Sequence, residues 1–125
     1  MVGDRNRRSG QPAPTRCATW QRPGTYVEAA DRYRQALAIN RETGNRAGEA
    51  VALGNIGEAY ASDGRHEEAI SYLEQAVAQF EELRNGRFQA WTLTLLGQTL
   101  KRAGQREKAQ ICLDAATEIN QTLER

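Results

Sequence analysis

Histidine and cysteine are nearly missing from this chain of 125 residues, which has one of the former, His66, and two of the latter, Cys17 and Cys112. That scarcity excludes much chemistry. No set of Cys, His and carboxylate residues stands at metal-ligand spacing. Cys17 and Cys112 lie far apart and form no Cys-x-x-Cys motif or disulfide framework, so the chain reads as intracellular and cytoplasmic. There is no Gly-x-x-x-x-Gly-Lys loop and no nucleophile elbow. Glu67-Glu68 and Glu81-Glu82 read as solvated helix faces rather than acid/base pairs. Neither an enzyme nor a bound cofactor or metal is expected. Long apolar runs are absent too, so neither the core of a signal peptide nor a membrane span is present and no membrane partner is expected.

Charge of one sign is also lacking, with a net formal charge of +1. The distribution is less even. Residues 1–25 hold five arginines against Asp4, and the rest of the chain is mildly acidic. All three prolines, Pro12, Pro14 and Pro23, fall in the first 24 residues, which have no apolar periodicity. Residues 1–24 are therefore expected to form a disordered basic tail. Five arginines without interleaved aromatics do not point to nucleic acid, which is not expected as the partner.

What the chain does have is helical periodicity. From Glu49 to Phe80, two amphipathic stretches flank a turn at Asp63-Gly64-Arg65. Leu53, Ile56, Gly57 and Tyr60 make one stripe at i, i+3, i+4, i+7. Ala69, Leu73, Ala76 and Phe80 make the inner face of the next, widened by Ile70 and Val77. Gly57 stands mid-helix at a cost of roughly 1 kcal/mol relative to alanine, which a close helix–helix approach would offset. Gly64 is suited to a left-handed helix end.

Shifted by 40 residues, the sequence matches itself. Gly57 meets Gly97, Gly64 meets Gly104, Leu53 meets Leu93, Ala69 meets Ala109, Leu73 meets Leu113 and Ala76 meets Ala116. In the other direction Ala69 meets Ala29, Leu73 meets Tyr33, Ala76 meets Ala36 and Gly64 meets Gly24. A fixed period marks a repeat architecture. The fold class that follows is all-α, with about five helices over residues 26–43, 47–63, 66–83, 87–103 and 106–123. Short connections at Gly44-Asn45-Arg46, Gly64-Arg65, Asn85-Gly86 and Gly104-Gln105 make neighbours antiparallel. The domain is expected to span residues 25–125, as a half repeat (25–46) and two full repeats (47–86 and 87–125). The same register would place a further helix over residues 8–23, with Trp20 on the Tyr60 position, but Pro12 and Pro14 oppose it.

The pattern resembles the tetratricopeptide repeat, on Leu53, Ile56-Gly57, Tyr60, Ala69, Leu73 and Ala76 in one unit and Leu93, Leu96-Gly97, Leu100, Ala109, Leu113 and Ala116 in the next. The period is 40 rather than 34, as in the longer variant found in cell-polarity adaptors and in sensor regions of some bacterial regulators. The resemblance implies a right-handed α-α superhelix, with first helices on the concave side and a groove for an extended peptide. Two lines of residues then face that groove: Val51, Asn55, Glu58 and Ser62, and one repeat on, Trp91, Leu95, Gln98 and Arg102. An amide such as Asn55 both donates to and accepts from a peptide backbone. Trp91 is a rigid apolar anchor of the type enriched at hot spots. Only Asn55 matches the family's carboxylate clamp, which is not expected here. The function implied is a non-catalytic scaffold that binds a peptide or helix of a partner protein. The alternative is a segment of a larger bacterial regulator that acts by stacking on further repeats or by forming a homodimer, because the faces of the outer helices lack a neighbour.

Overall fold

The computed structural model of the protein describes residues 23–124. The basic tail expected over residues 1–24 lies outside them except for its last two positions. Five α-helices follow one another: α1 (Pro23–Thr43), α2 (Arg46–Ser62), α3 (His66–Glu82), α4 (Gly86–Arg102) and α5 (Arg106–Glu124). Their ends fall within three residues of those expected from periodicity. The largest difference is at α1, which starts at Pro23 rather than Tyr26. Proline is well placed at a first helical position, where no N–H partner is needed. Gly24, which the 40-residue register equates with the turn glycine Gly64, thus lies inside the first turn of α1.

The four turns share one hydrogen-bond scheme. In each, an N–H two or three residues past the helix end donates to a carbonyl five residues back: Asn45 to Asn40, Arg65 to Tyr60, Asn85 to Phe80 and Gln105 to Leu100, at 2.9–3.0 Å. This closure requires a left-handed residue just before the donor. Gly44, Gly64 and Gly104 supply it with φ of 74°, 85° and 87°. In the third turn, however, the left-handed residue is Arg84, with φ of 57°. The sequence reading centred that turn on Asn85-Gly86, but Gly86 is the first residue of α4 and Asn85 is its cap. The 40-residue register carries the signal, since it pairs Arg84 with Gly44 and Asn85 with Asn45. Both asparagines cap a first helix, Asn45 accepting from the Gly48 N–H at 3.0 Å and Asn85 from the Phe88 N–H at 3.2 Å.

Each helix packs on its sequence neighbours, and the two first helices α2 and α4 also touch. The predicted inner faces are inside: Leu53, Ile56, Ala69, Leu73, Ala76 and Phe80 are all fully buried. The mid-helix glycines have the expected reason. A Cβ at Gly57 would stand 2.6 Å from Cγ of Leu73, and one at Gly97 would stand 2.7 Å from Cγ of Leu113. The same leucine-on-glycine contact therefore closes both hairpins. Aromatic groups add to the seams. Arg34 of α1 and Arg65 both lie over the Tyr60 ring, 5.2 and 5.7 Å from its centroid. Phe80 stacks on Phe88 at 5.3 Å.

Two glycine-related substitutions should move stability in opposite directions. Gly57→Ala gains helix propensity but drives a methyl into Leu73, and should lose about 1–3 kcal/mol from overpacking. Arg84→Gly relieves a left-handed side chain and should gain about 0.5–1 kcal/mol. Urea unfolding followed by circular dichroism measures both, and equal signs would contradict the packing just described.

Candidate peptide-binding face

The candidate face begins on α2. Gly54 turns no side chain towards α4, and that bareness leaves a notch. The six-membered ring of Trp91 fills it: a Cβ at Gly54 would lie 2.9 Å from Cζ3 and 3.0 Å from Cη2. Phe88 meets the Trp91 ring edge-on at 5.9 Å. Trp91 is half-buried, packed on the core around Leu53 and Phe80, and Leu95 is half-buried against the cluster of Leu73, Leu96 and Leu100. Part of each side chain therefore joins the repeats together. Gln98 and Arg102 continue the α4 line in solvent. The structure brings Trp91 of the α4 line against α2 at Gly54, which is not itself a member of the α2 line.

The α2 line lies more open. Val51 and Asn55 are half-buried, and Glu58 and Ser62 are exposed. They do not stand alone. A cavity of about 490 Å³ between α1 and α2 is lined by Tyr33, Ala36 and Asn40 of α1 and by Val51, Ala52 and Asn55 of α2, among others. A second, of about 200 Å³, is lined by Tyr26, Ala29 and Tyr33 with Asn55, Glu58 and Ser62. The two meet at Tyr33 and Asn55. Aromatic and methyl surfaces dominate the walls, and the Asn55 amide is the central polar group. That is the composition of a site that recognises apolar side chains and fixes orientation with one or two hydrogen bonds.

The contribution of α1 was missed by sequence reasoning. Tyr33 aligns with Leu73, and Ala36 with Ala76, which are core residues in the next repeat. Nothing in the 40-residue register distinguishes the copy that a helix covers from the copy that no described helix covers. A larger cavity, of about 690 Å³, lies where the end of α3, the start of α4 and the last turns of α5 come together, between Glu81, Arg84 and Gln89 on one side and Ile119, Thr122 and Leu123 on the other. It touches none of the predicted site residues.

Charge near the face is held by neighbours. Glu49 in α2 is 17% exposed. One of its oxygens accepts from Gln79 of α3 at 3.0 Å and from Arg41 of α1 at 3.2 Å, tying three helices together. The Gln79 hydrogen bond, with Arg41 beside it, holds the Glu49 carboxyl below the ordinary glutamate range despite partial burial. His66 opens α3 half-buried, with Nδ1 unpartnered. Cys112 is half-buried on α5, and burial, with the Glu74 carboxylate adding to it, pushes its thiol up, away from the reactive thiolate. Among the described residues no group of three or more His, Cys, Asp or Glu is placed to hold a metal ion, and no helix is long and apolar enough to cross a membrane.

The fold agrees with the family that the chain matches. Residues 21–82, and overlapping them residues 48–122, match the tetratricopeptide repeat family. The chain belongs to that family. It is similar to the regulatory protein AfsR of Streptomyces coelicolor, at 41% identity over 58 residues, which are 46% of this chain and 6% of that protein. The chain thus matches only a small part of that regulator's length. No solved structure matches significantly.

The lowered pKa of Glu49 gives a signed expectation. Its stabilisation is present above the unfolded glutamate pKa and is lost as pH falls through the folded value. Glu49→Gln should be less stable by about 1 kcal/mol at pH 7, the worth of a hydrogen bond to a charged group in partial solvent. The difference should close as pH falls below the ordinary glutamate range of about 4.3, as the native carboxylate in turn protonates. Thermal melts of both proteins from pH 7 to pH 3 would test this, and a pH-independent gap would refute it.

Proposed function

With membership of the tetratricopeptide repeat family as the premise, we propose that the chain is a non-catalytic binding module of the cytoplasm. It holds a peptide or helix of a partner protein along Val51, Asn55, Glu58 and Ser62 of α2 and Trp91, Leu95, Gln98 and Arg102 of α4. The observation that carries this reading is the pair of cavities that meet at Tyr33 and Asn55, whose walls include every residue of the α2 line. Apolar side chains of the partner enter between α1 and α2. Asn55 sets the direction of the partner's backbone by donating and accepting at once. The guanidinium of Arg102 offers a fork for a carboxylate at the far end. Trp91 contributes the part of its ring that Gly54 and Phe88 leave free.

A second reading has one observation in its favour, the similarity to a stretch of AfsR. In that reading the chain is a segment of a larger regulator and acts by stacking on further repeats or on a second copy. A solution mass of one chain by light scattering supports the first reading, and a mass of two supports the second.

Selection of a peptide display library on the intact chain tests the binding module. Selected peptides should lose affinity about tenfold for Asn55→Ala and less for Arg102→Ala, as expected for a central rather than a peripheral contact. Both side chains lie outside the core, so helicity should stay unchanged. Trp91→Ala is the poorer probe because it also empties the Gly54 notch. Selection that yields no peptide sensitive to Asn55→Ala would refute the assignment.

A further inference from the structure

The repeat makes it possible to ask what fills each surface in one copy and not in another. In the interior, Ala69, Leu73, Ala76 and Phe80 of α3 and Thr92 of α4 are fully buried, at 0% exposure. The helix that covers them is α2. Its Gly57 lies against Leu73, and its Gly54 lies against Trp91 and Thr92. Forty residues earlier the same positions are Ala29, Tyr33, Ala36 and Asn40 of α1, with Val51 and Ala52 of α2 for Trp91 and Thr92. The four α1 residues are only half-buried, and together these six line the two cavities. Among the described residues, the open face is thus an unfilled copy of an interface that is filled one repeat on, and the filler there is α2.

The other end differs. Ile70, Val77 and Phe80 of α3 pack against the following hairpin. Their counterparts on α5 are Gln110, Thr117 and Asn120, all exposed. Gln110 is turned to Asp114 at 2.8 Å, and the Thr117 hydroxyl donates to the Leu113 carbonyl at 2.9 Å. Polar residues on this face cannot drive burial against another helix as Ile70, Val77 and Phe80 do.

We propose that the α1/α2 face takes an amphipathic α-helix supplied by another polypeptide, of the pattern that α2 itself spells. Leu53-Gly54-Asn55-Ile56-Gly57-Glu58-Ala59-Tyr60 places two small residues three apart, flanked by large apolar ones. One small residue seats against Tyr33, as Gly57 does against Leu73. The other seats against Val51 and Ala52, as Gly54 does against Trp91 and Thr92. The chain's own segment at this register is a poor match in sequence. Pro14 stands for Gly54, Arg16 for Ile56 and Cys17 for Gly57. A proline there removes a helix hydrogen bond, and an arginine stands where Ile56 is fully buried. The partner is therefore recognised by small residues that admit close backbone approach, and not by an extended strand.

This inference rests on the binding-module reading and specifies its ligand. The probe is a peptide of residues 46–62, labelled at its amino end and held helical by a lactam between Glu58 and a Ser62→Lys, two positions exposed on α2. Titrated with the intact chain and followed by fluorescence anisotropy, it should bind saturably. The same peptide carrying Gly57→Leu should bind at least tenfold more weakly. Ala36→Arg in the chain should weaken the unmodified peptide at least tenfold. Val51→Arg should do the same and guards against a folding defect in the first variant, with circular dichroism checked for both. Absence of saturable binding would overturn the proposal, as would binding that is indifferent to both chain variants or to Gly57→Leu. Peptides selected from the display library serve as the control. If they bind and the helical probe does not, the helix proposal alone fails; if neither binds, the binding-module reading fails with it.

Discussion

Close approach of leucine onto glycine, Leu73 on Gly57 and Leu113 on Gly97, is the contact on which the other features depend. It sets how near the two helices of a hairpin lie. A side chain on either glycine would push the pair apart, and the inner faces would separate with it. At the set distance, Ala69 and Ala76 present only methyl groups between backbones, and Leu53, Ile56 and Phe80 reach across to fill the remaining space. At that distance the two inner faces close over one another without a gap for a further side chain at Gly57 or Gly97.

Between hairpins a second version of the same device operates. Gly54 offers a notch and Trp91 fills it, so the first helices α2 and α4 touch although α3 separates them in sequence. The contact joins one repeat to the next and leaves Trp91 half-buried. Glu49 adds an electrostatic tie there, drawing Arg41 of α1 and Gln79 of α3 to one carboxylate. The helices that border the cavities are thus held from outside the cavities. Tyr33, Asn55 and their neighbours can remain half-open without the structure losing its form.

Most of the fold was legible because it follows from local rules repeated at a fixed distance. The apolar stripes at Leu53-Ile56-Tyr60 and Ala69-Leu73-Ala76 identified the helices, and Gly64 and Gly104 identified two of the turns. The third turn was placed at Asn85-Gly86 because glycine there reads as a turn residue, whereas Arg84 holds the left-handed position. Only the hydrogen-bond scheme, with Asn85 donating to Phe80, fixes which residue must be left-handed. The eight residues of the predicted groove do lie on neighbouring helices, but Tyr26, Tyr33 and Ala36 beside them could not be singled out. Their counterparts in the next repeat are His66, Leu73 and Ala76, of which the last two belong to the core.

The sequence by itself determined the five helices, their order and their period, because helix formation and reversal depend on residues within a turn or two of each other. The tertiary structure alone decided which copy of a repeated residue is covered. Ala76 is fully buried and Ala36 is half-open, though each is an alanine at the same place in its helix. Burial belongs to a pair of surfaces and not to a residue, and the surface that faces Ala76 is α2, a helix some twenty residues away in the chain rather than a neighbour in its own turn. The same reason leaves Tyr33 and Ala36 half-open: among the described residues no helix lies over them as α2 lies over Leu73 and Ala76.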